Sequence, residues 1–142
     1  MSKFVAAVVV AALVLVAGPA SAHHRPGPCP IHWMREWREN RNVQPIRNLI
    51  VCATRRWSVP GGTSKALAVA SCESGFRPDA YSNGNAGVFQ HRVPYWPARY
   101  RDFTQPWWRL ADPARNGRTN VIVSVVMIHR GGWGPWEGGS CA

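Results

Sequence analysis

Apolar and polar positions divide the chain sharply at its start. Residues 4–16 are unbroken apolar sequence, Lys3 puts a positive charge ahead of them, and Gly18-Pro19 ends the run. Ala20-Ser21-Ala22 follows as a small-x-small cleavage site, so residues 1–22 read as a signal peptide. The run falls short of the roughly 20 residues a spanning helix needs, so no stable membrane insertion is expected after cleavage. This segment is set aside from fold reasoning.

Beyond it the periodicity turns helical. Residues 23–30 hold three prolines and read as an irregular lead-in. Trp33 and Trp37, four apart within the charge-alternating run 31–41, suit a short amphipathic helix. Pro45 suits the first turn of a second helix over 46–57, with Ile46, Leu49, Ile50 and Ala53 on one face. Pro60-Gly61-Gly62 then separates a helical lead-in or hairpin (23–62) from a core (63–142), the two forming one compact domain. Thr63 or Ser64 is placed to cap a third helix, which runs through Ala66 and Ala70 to Glu73 and stops at Gly75 and Pro78. The Asn- and Gly-rich stretch 79–90 reads as turns with a short ribbon, and the proline-broken stretch 94–106 as loop and short helix. Asp112-Pro113 looks like a cap and first turn for a last helix. The β-branched run inside 120–129 suits a strand by propensity, but its Arg130-Gly131-Gly132 ending favours a helix. The fold class expected is mainly α with minimal sheet.

Cysteine usage adds a constraint. Cys29, Cys52, Cys72 and Cys141 make an even count in a small chain with an export segment, which reads as two disulfides. No C-x-x-C or tight Cys/His cluster exists, so neither a metal nor a cofactor is expected. The net charge is +10, and all but two of the 17 cationic residues are arginine. Such charge suits an anionic partner, whether nucleic acid, anionic lipid or the acidic polymers of a cell wall, and export makes nucleic acid the weakest of the three. Arginine richness is equally read as a solubilising surface.

Candidate chemistry is sparse. The seven acids are Glu36, Glu39, Glu73, Asp79, Asp102, Asp112 and Glu137. Six lie in polar or turn-like sequence. Glu73 instead follows Val69 by four residues and Ala70 by three, which puts it on an apolar helix face. Burial there raises a carboxyl's pKa, leaving it protonated and able to act as a general acid. A buried Glu satisfied by backbone donors would fit the same pattern.

The neighbouring residues favour the chemical reading. Glu73-Ser74-Gly75-Phe76-Arg77-Pro78-Asp79-Ala80-Tyr81-Ser82 resembles the E-S-x-F-x-P-x-A-x-S signature of the lytic transglycosylase (SLT-like) family, in the lysozyme-like superfamily. Gly84-Asn85-Ala86-Gly87-Val88-Phe89-Gln90 resembles its G-A-x-G-L-[MF]-Q segment, and residues 120–136 resemble a later helix with a GGW-x-x-W ending. The resemblance implies a lysozyme-like fold and cleavage of the MurNAc–GlcNAc bond in peptidoglycan glycan strands, in the cell envelope or outside the cell. It makes Glu73 the catalytic acid and then base, Ser82 an orienting hydroxyl, and Gln90 a residue of the glycan groove. Gly84 and Gly87 would let the backbone approach the sugar closely, although turn chemistry explains glycines there too. Two departures stand out: the Ser82–Gly84 spacing is one residue short, and no tyrosine lies in 121–129.

Ordinary glycosidases use paired carboxylates. Asp79, Asp102 and Asp112 are the candidates for a partner, and none sits in a recognisable motif. In the resembled family the substrate's N-acetyl and 6-hydroxyl groups replace nucleophile and water, which favours 1,6-anhydro products. The rival readings are a hydrolytic lysozyme on this scaffold and a non-catalytic wall-binding protein.

Among Trp96, Trp107, Trp108, Trp133 and Trp136, the last two are the preferred sugar-stacking pair. His91 is read as a core or surface residue before a substrate contact, and Asp79 as a turn residue before a base. Four cysteines allow three pairings. Cys72–Cys141 would pin the tail beside Glu73, leaving Cys29–Cys52 to clip the first helix to the second.

Overall fold

A computed structural model describes residues 28, 29, 38 and 41–142. The expected signal peptide lies outside the described residues, as does the first expected helix apart from Arg38, which is helical and exposed, and Arg41.

Helix α1 (Gln44–Arg56) starts with Pro45 in its first turn, and Ile46, Leu49, Ile50 and Ala53 are fully buried, as the sequence pattern requires. Helix α2 (Gly62–Ser74) packs beside it. The cap expected from Thr63 or Ser64 does not form. Gly61 already turns into the helix in left-handed backbone (φ 77°), so both residues lie within the first turn. The Thr63 hydroxyl is 2.7 Å from that of Thr54, linking α2 to α1.

Three two-residue strands follow: β1 (Tyr81–Ser82), β2 (Asn85–Ala86) and β3 (His91–Arg92). They form an antiparallel sheet in that order, with Ser82 opposite Asn85 and Asn85 opposite Arg92. Asn83 and Gly84 connect β1 to β2 with φ of 50° and 77°, a two-residue turn of the primed kind that matches strand twist. The short Ser82–Gly84 spacing is therefore a tight hairpin.

A 3-10 turn (Val93–Tyr95) leads into α3 (Trp96–Phe103). The last helix, α4 (Gly117–Gly131), begins later than Asp112-Pro113 suggests: Asn116 is its cap, accepting from Thr119 N–H at 3.1 Å. The β-branched run is helical because α4 is enclosed. Val121 and Val125 join α1 and α2 in the main core, Val123 packs with Trp96 and Ala86, and Ile122 and Val126 pack with Leu110. Burial on all sides outweighs the modest propensity cost of Val and Ile in a helix.

The disulfides are Cys29–Cys52 and Cys72–Cys141, the expected pairing. Arg118, on α4, donates to the Cys29 and Pro28 carbonyls at 2.8 and 3.1 Å, holding this N-terminal segment against the last helix. The protein is thus mainly helical with a small sheet and two disulfides. Among the described residues, no helix is long and apolar enough to cross a membrane.

Candidate active site

Glu73 stands in the last turn of α2, where the preceding turn buries Val69 and Ala70. The helix then stops abruptly. Gly75 and Phe76 both take left-handed backbone (φ 61° and 64°), their N–H groups closing on Ser71 and Ala70 carbonyls. Phe76 has a Cβ and is strained in this region. Its ring is held in the core with the Arg47 guanidinium 4.9 Å above it. Ser74 joins the two sides of the bend, accepting from Arg77 N–H at 3.1 Å and donating to Val88 O at 2.8 Å. Ser74, Gly75, Phe76 and Arg77 of the Glu73–Ser82 motif therefore build the corner that presents Glu73.

The corner faces a cleft of about 540 Å³. Glu73 forms one side, and the ribbon contributes Asn85, Gln90 and Arg92. Tyr95 and Arg99 extend this wall, while Pro135, Trp136 and Gly139 bring in the C-terminal tail. The Cys72–Cys141 bridge anchors that tail one residue from Glu73.

The ribbon is fixed from below by Asn120 of α4. Its carboxamide accepts from Phe89 N–H at 2.9 Å and donates to the Ala86 and Ala114 carbonyls at 3.3 and 2.8 Å. Gly87 lies directly on it, where a Cβ would stand 2.2 Å from Asn120 Nδ2. Gly87 serves this close approach, on the side of the ribbon against α4.

Burial pushes the Glu73 carboxyl above the ordinary glutamate range. Its place at the negative end of α2 acts in the same direction. Among the described residues Glu73 forms no ion pair or hydrogen bond, and no other acid lines the cleft. Asp79 pairs with Arg41 at 2.7 Å beside a separate hollow, Asp102 pairs with its neighbour Arg101 at 2.8 Å, and Asp112 is exposed outside the cleft lining. Glu36 and Glu39 lie outside the described residues. A lone carboxyl whose charged form is disfavoured by burial can, when protonated, donate to the oxygen of a bond laid beside it.

Glu73, Gln90 and Trp136 all line this one cleft. Ser82, Gly84, Gly87 and Trp133 do not line it. Ser82 is exposed on β1, and Gly84 is accounted for by the hairpin turn. Trp133 is a core residue, 3% exposed, and its indole N–H is bonded to Pro60 O at 2.7 Å. Trp136 reaches the cleft but is 6% exposed, with edge-on contacts to Phe89, His91 and Trp133. It forms a wall and offers no open ring face for stacking. Tyr95 is the exposed aromatic of the cleft, at 56%.

His91 is buried behind the ribbon and is neutral, its pKa lowered to about 3 by burial and then by the Arg99 charge. Sequence reasoning missed Tyr95, Arg92 and Arg99. The aromatic-and-arginine density of 92–101 was the available signal, although nothing local aims it at Glu73.

Comparison with family models, with curated proteins and with solved structures finds no match to this chain.

Proposed function

We propose that the protein is an exported peptidoglycan-cleaving enzyme of the lytic transglycosylase (SLT-like) kind, on a lysozyme-like scaffold. It cuts between N-acetylmuramic acid and N-acetylglucosamine. The observation that carries this reading is the solitary Glu73 carboxyl, held towards its protonated form on a cleft whose described residues supply no second acid.

The chemistry follows from that solitude. Glu73 donates its proton to the glycosidic oxygen as the C1–O bond breaks, and the leaving sugar departs as an alcohol. Charge developing at C1 is met by the substrate's own 2-acetamido oxygen, since the described cleft holds no second carboxylate to take that part. Glu73, now ionised, accepts the proton of the muramyl 6-hydroxyl, whose oxygen bonds to C1 and closes a 1,6-anhydro ring. No water is consumed and no metal or cofactor is required. Gln90 bounds the glycan path, its amide donating to Gly87 O at 2.8 Å and so fixed in orientation, while Tyr95 offers a ring face to a sugar.

Export is supported by the signal-like residues 1–22 and by two disulfides, which persist in oxidising compartments. The glycan strand is the partner, with anionic wall polymers a further attraction for the net positive charge. A zymogram with embedded peptidoglycan tests the reading. Clearing by the wild-type protein, lost in a folded Glu73→Gln variant, is expected; equal clearing by both would contradict it.

A further inference from the structure

The cleft carries more positive charge than an acid catalyst requires. Arg92 of β3 and Arg99 of α3 both line it, and neither is ion-paired among the described residues. Arg99 is also held in a fixed direction. Its Nη1 donates to Nδ1 of His91 at 2.8 Å, so this nitrogen carries no proton and Nε2 does. That N–H reaches the Ser124 hydroxyl at 2.7 Å, and Ser124 donates onward to Asn120 O at 2.6 Å. The relay is anchored in the buried backbone of α4 and leads outward to a guanidinium on the cleft wall. The ring of Tyr95, 5.6 Å from the guanidinium carbon, supports it from another side.

Arg99 is partly buried, and a guanidinium taken from water without a counter-ion costs free energy that the fold must offset. Its Nη2 and Nε make no hydrogen bond among the described residues. Two arginines against a single carboxyl leave the described lining net positive, so the cleft as a whole attracts an anion.

We propose that Arg99 and Arg92 form a subsite for a carboxylate carried by the glycan strand being cut. The proposal rests on the peptidoglycan reading above and narrows it. A planar guanidinium fork matches a carboxylate in two parallel hydrogen bonds. N-acetylglucosamine has no carboxylate to offer. N-acetylmuramic acid bears one on its lactyl group when no peptide is attached, and a peptide-bearing strand carries carboxylates on its stem instead. Because these cations share the cleft with Glu73, the anion they hold belongs to the substrate and not to a separate polymer.

The test uses a tetrasaccharide of alternating N-acetylglucosamine and N-acetylmuramic acid in three forms: lactyl carboxylates free, coupled to stem peptides, or converted to neutral methylamides. Binding is measured by calorimetry with Glu73→Gln protein, and KM and kcat with the active protein. The carboxylate forms are expected to bind about 10–100-fold tighter than the methylamide, the range for hydrogen bonds to charged groups. Arg99→Gln should erase that preference through KM with little change in kcat, and Arg99→Lys should restore part of it. Arg92→Gln, at an exposed strand position, should give a smaller loss in the same direction and guards against misfolding at the buried relay. Tightest binding of the free form assigns the subsite to the lactyl carboxylate, and of the peptide form to the stem. Equal binding of all three forms, or an Arg99→Gln loss that is the same on each, overturns the subsite and leaves the peptidoglycan reading standing. Binding of none overturns both.

Discussion

Cys72 and Cys141 are bonded with their Cα atoms 5.5 Å apart, which ties the residue before Glu73 to the tail that supplies Pro135, Trp136 and Gly139. Two sides of the cleft are thereby fixed relative to each other by a covalent link. The other bridge, Cys29–Cys52, clips the N-terminal segment to α1, away from the cleft residues.

The two bridges should therefore fail differently. They close 69 and 23 residues, for which chain entropy gives about 4.4 and 3.4 kcal/mol. Removing either pair by Cys→Ser should lower the melting temperature. Removing Cys72–Cys141 should in addition lower cleavage measured well below the melting point, because the tail wall is released. A Cys72→Ser/Cys141→Ser protein with wild-type cleavage would show that the tail is not part of the site.

Gly87 and Gly84 both adopt positive φ, yet their surroundings differ. An added Cβ at Gly87 meets Asn120 Nδ2 at 2.2 Å and Ala114 O at 2.3 Å, whereas at Gly84 it meets open space. Gly87→Ala is expected to destabilise by about 2–5 kcal/mol, combining backbone strain with overpacking. Gly84→Ala carries the strain alone, about 1–2 kcal/mol. Urea unfolding of the two variants checks the order, and equal losses would remove Asn120 as the anchor of the ribbon.

These contrasts show what was legible along the chain. Ile46, Leu49, Ile50 and Ala53 announced α1 because its buried face recurs at the helical period, and Val69 and Ala70 marked Glu73 in the same way. The hairpin had a local signal in Asn83-Gly84, a pair that takes positive φ readily. The start of α4 was misplaced because Asp112 and Asn116 are both good caps. Long-range contacts decide between them: Asn120 is pinned to the ribbon, and the Thr119 hydroxyl donates to Ala111 O at 2.6 Å. Tryptophan roles were illegible for a similar reason. The same side chain fills a core or lines a groove, and the bond from Trp133 to Pro60 spans 73 positions.

His91 gives the fold an acid limit. Its pKa drops from 6.5 to about 3, through burial first and the Arg99 charge second. A histidine with a lowered folded pKa contributes stability above its unfolded value and loses it as pH falls towards the folded one. The groups around it are Arg99, Ser124, Trp96 and Trp136, none of which compensates an imidazolium. Wild-type stability should therefore fall between pH 6.5 and about 3 more steeply than that of His91→Gln. Parallel curves would mean that the ring is already charged or exposed.

Glu73 sets a limit on the other side. Its carboxyl is raised above the ordinary value of 4.5 by burial, so ionisation costs the folded state and removes the acid. Cleavage should decline along an alkaline limb lying above that value. Over the same range Glu73→Gln should gain stability relative to the wild type, since the amide has no anion to bury. Thermal melts across pH read the second effect, and a Glu73→Gln protein that loses ground as pH rises would reverse the assigned sign.

The most direct measurement is mass spectrometry of the fragments released from purified peptidoglycan by the wild-type protein and by Glu73→Gln. The wild type should release muropeptides with 1,6-anhydro ends, and a folded Glu73→Gln should release them about 10²–10⁴-fold more slowly or not at all. Fragments heavier by one water would contradict the single-carboxyl mechanism, and undiminished release by Glu73→Gln would contradict the role of Glu73 itself.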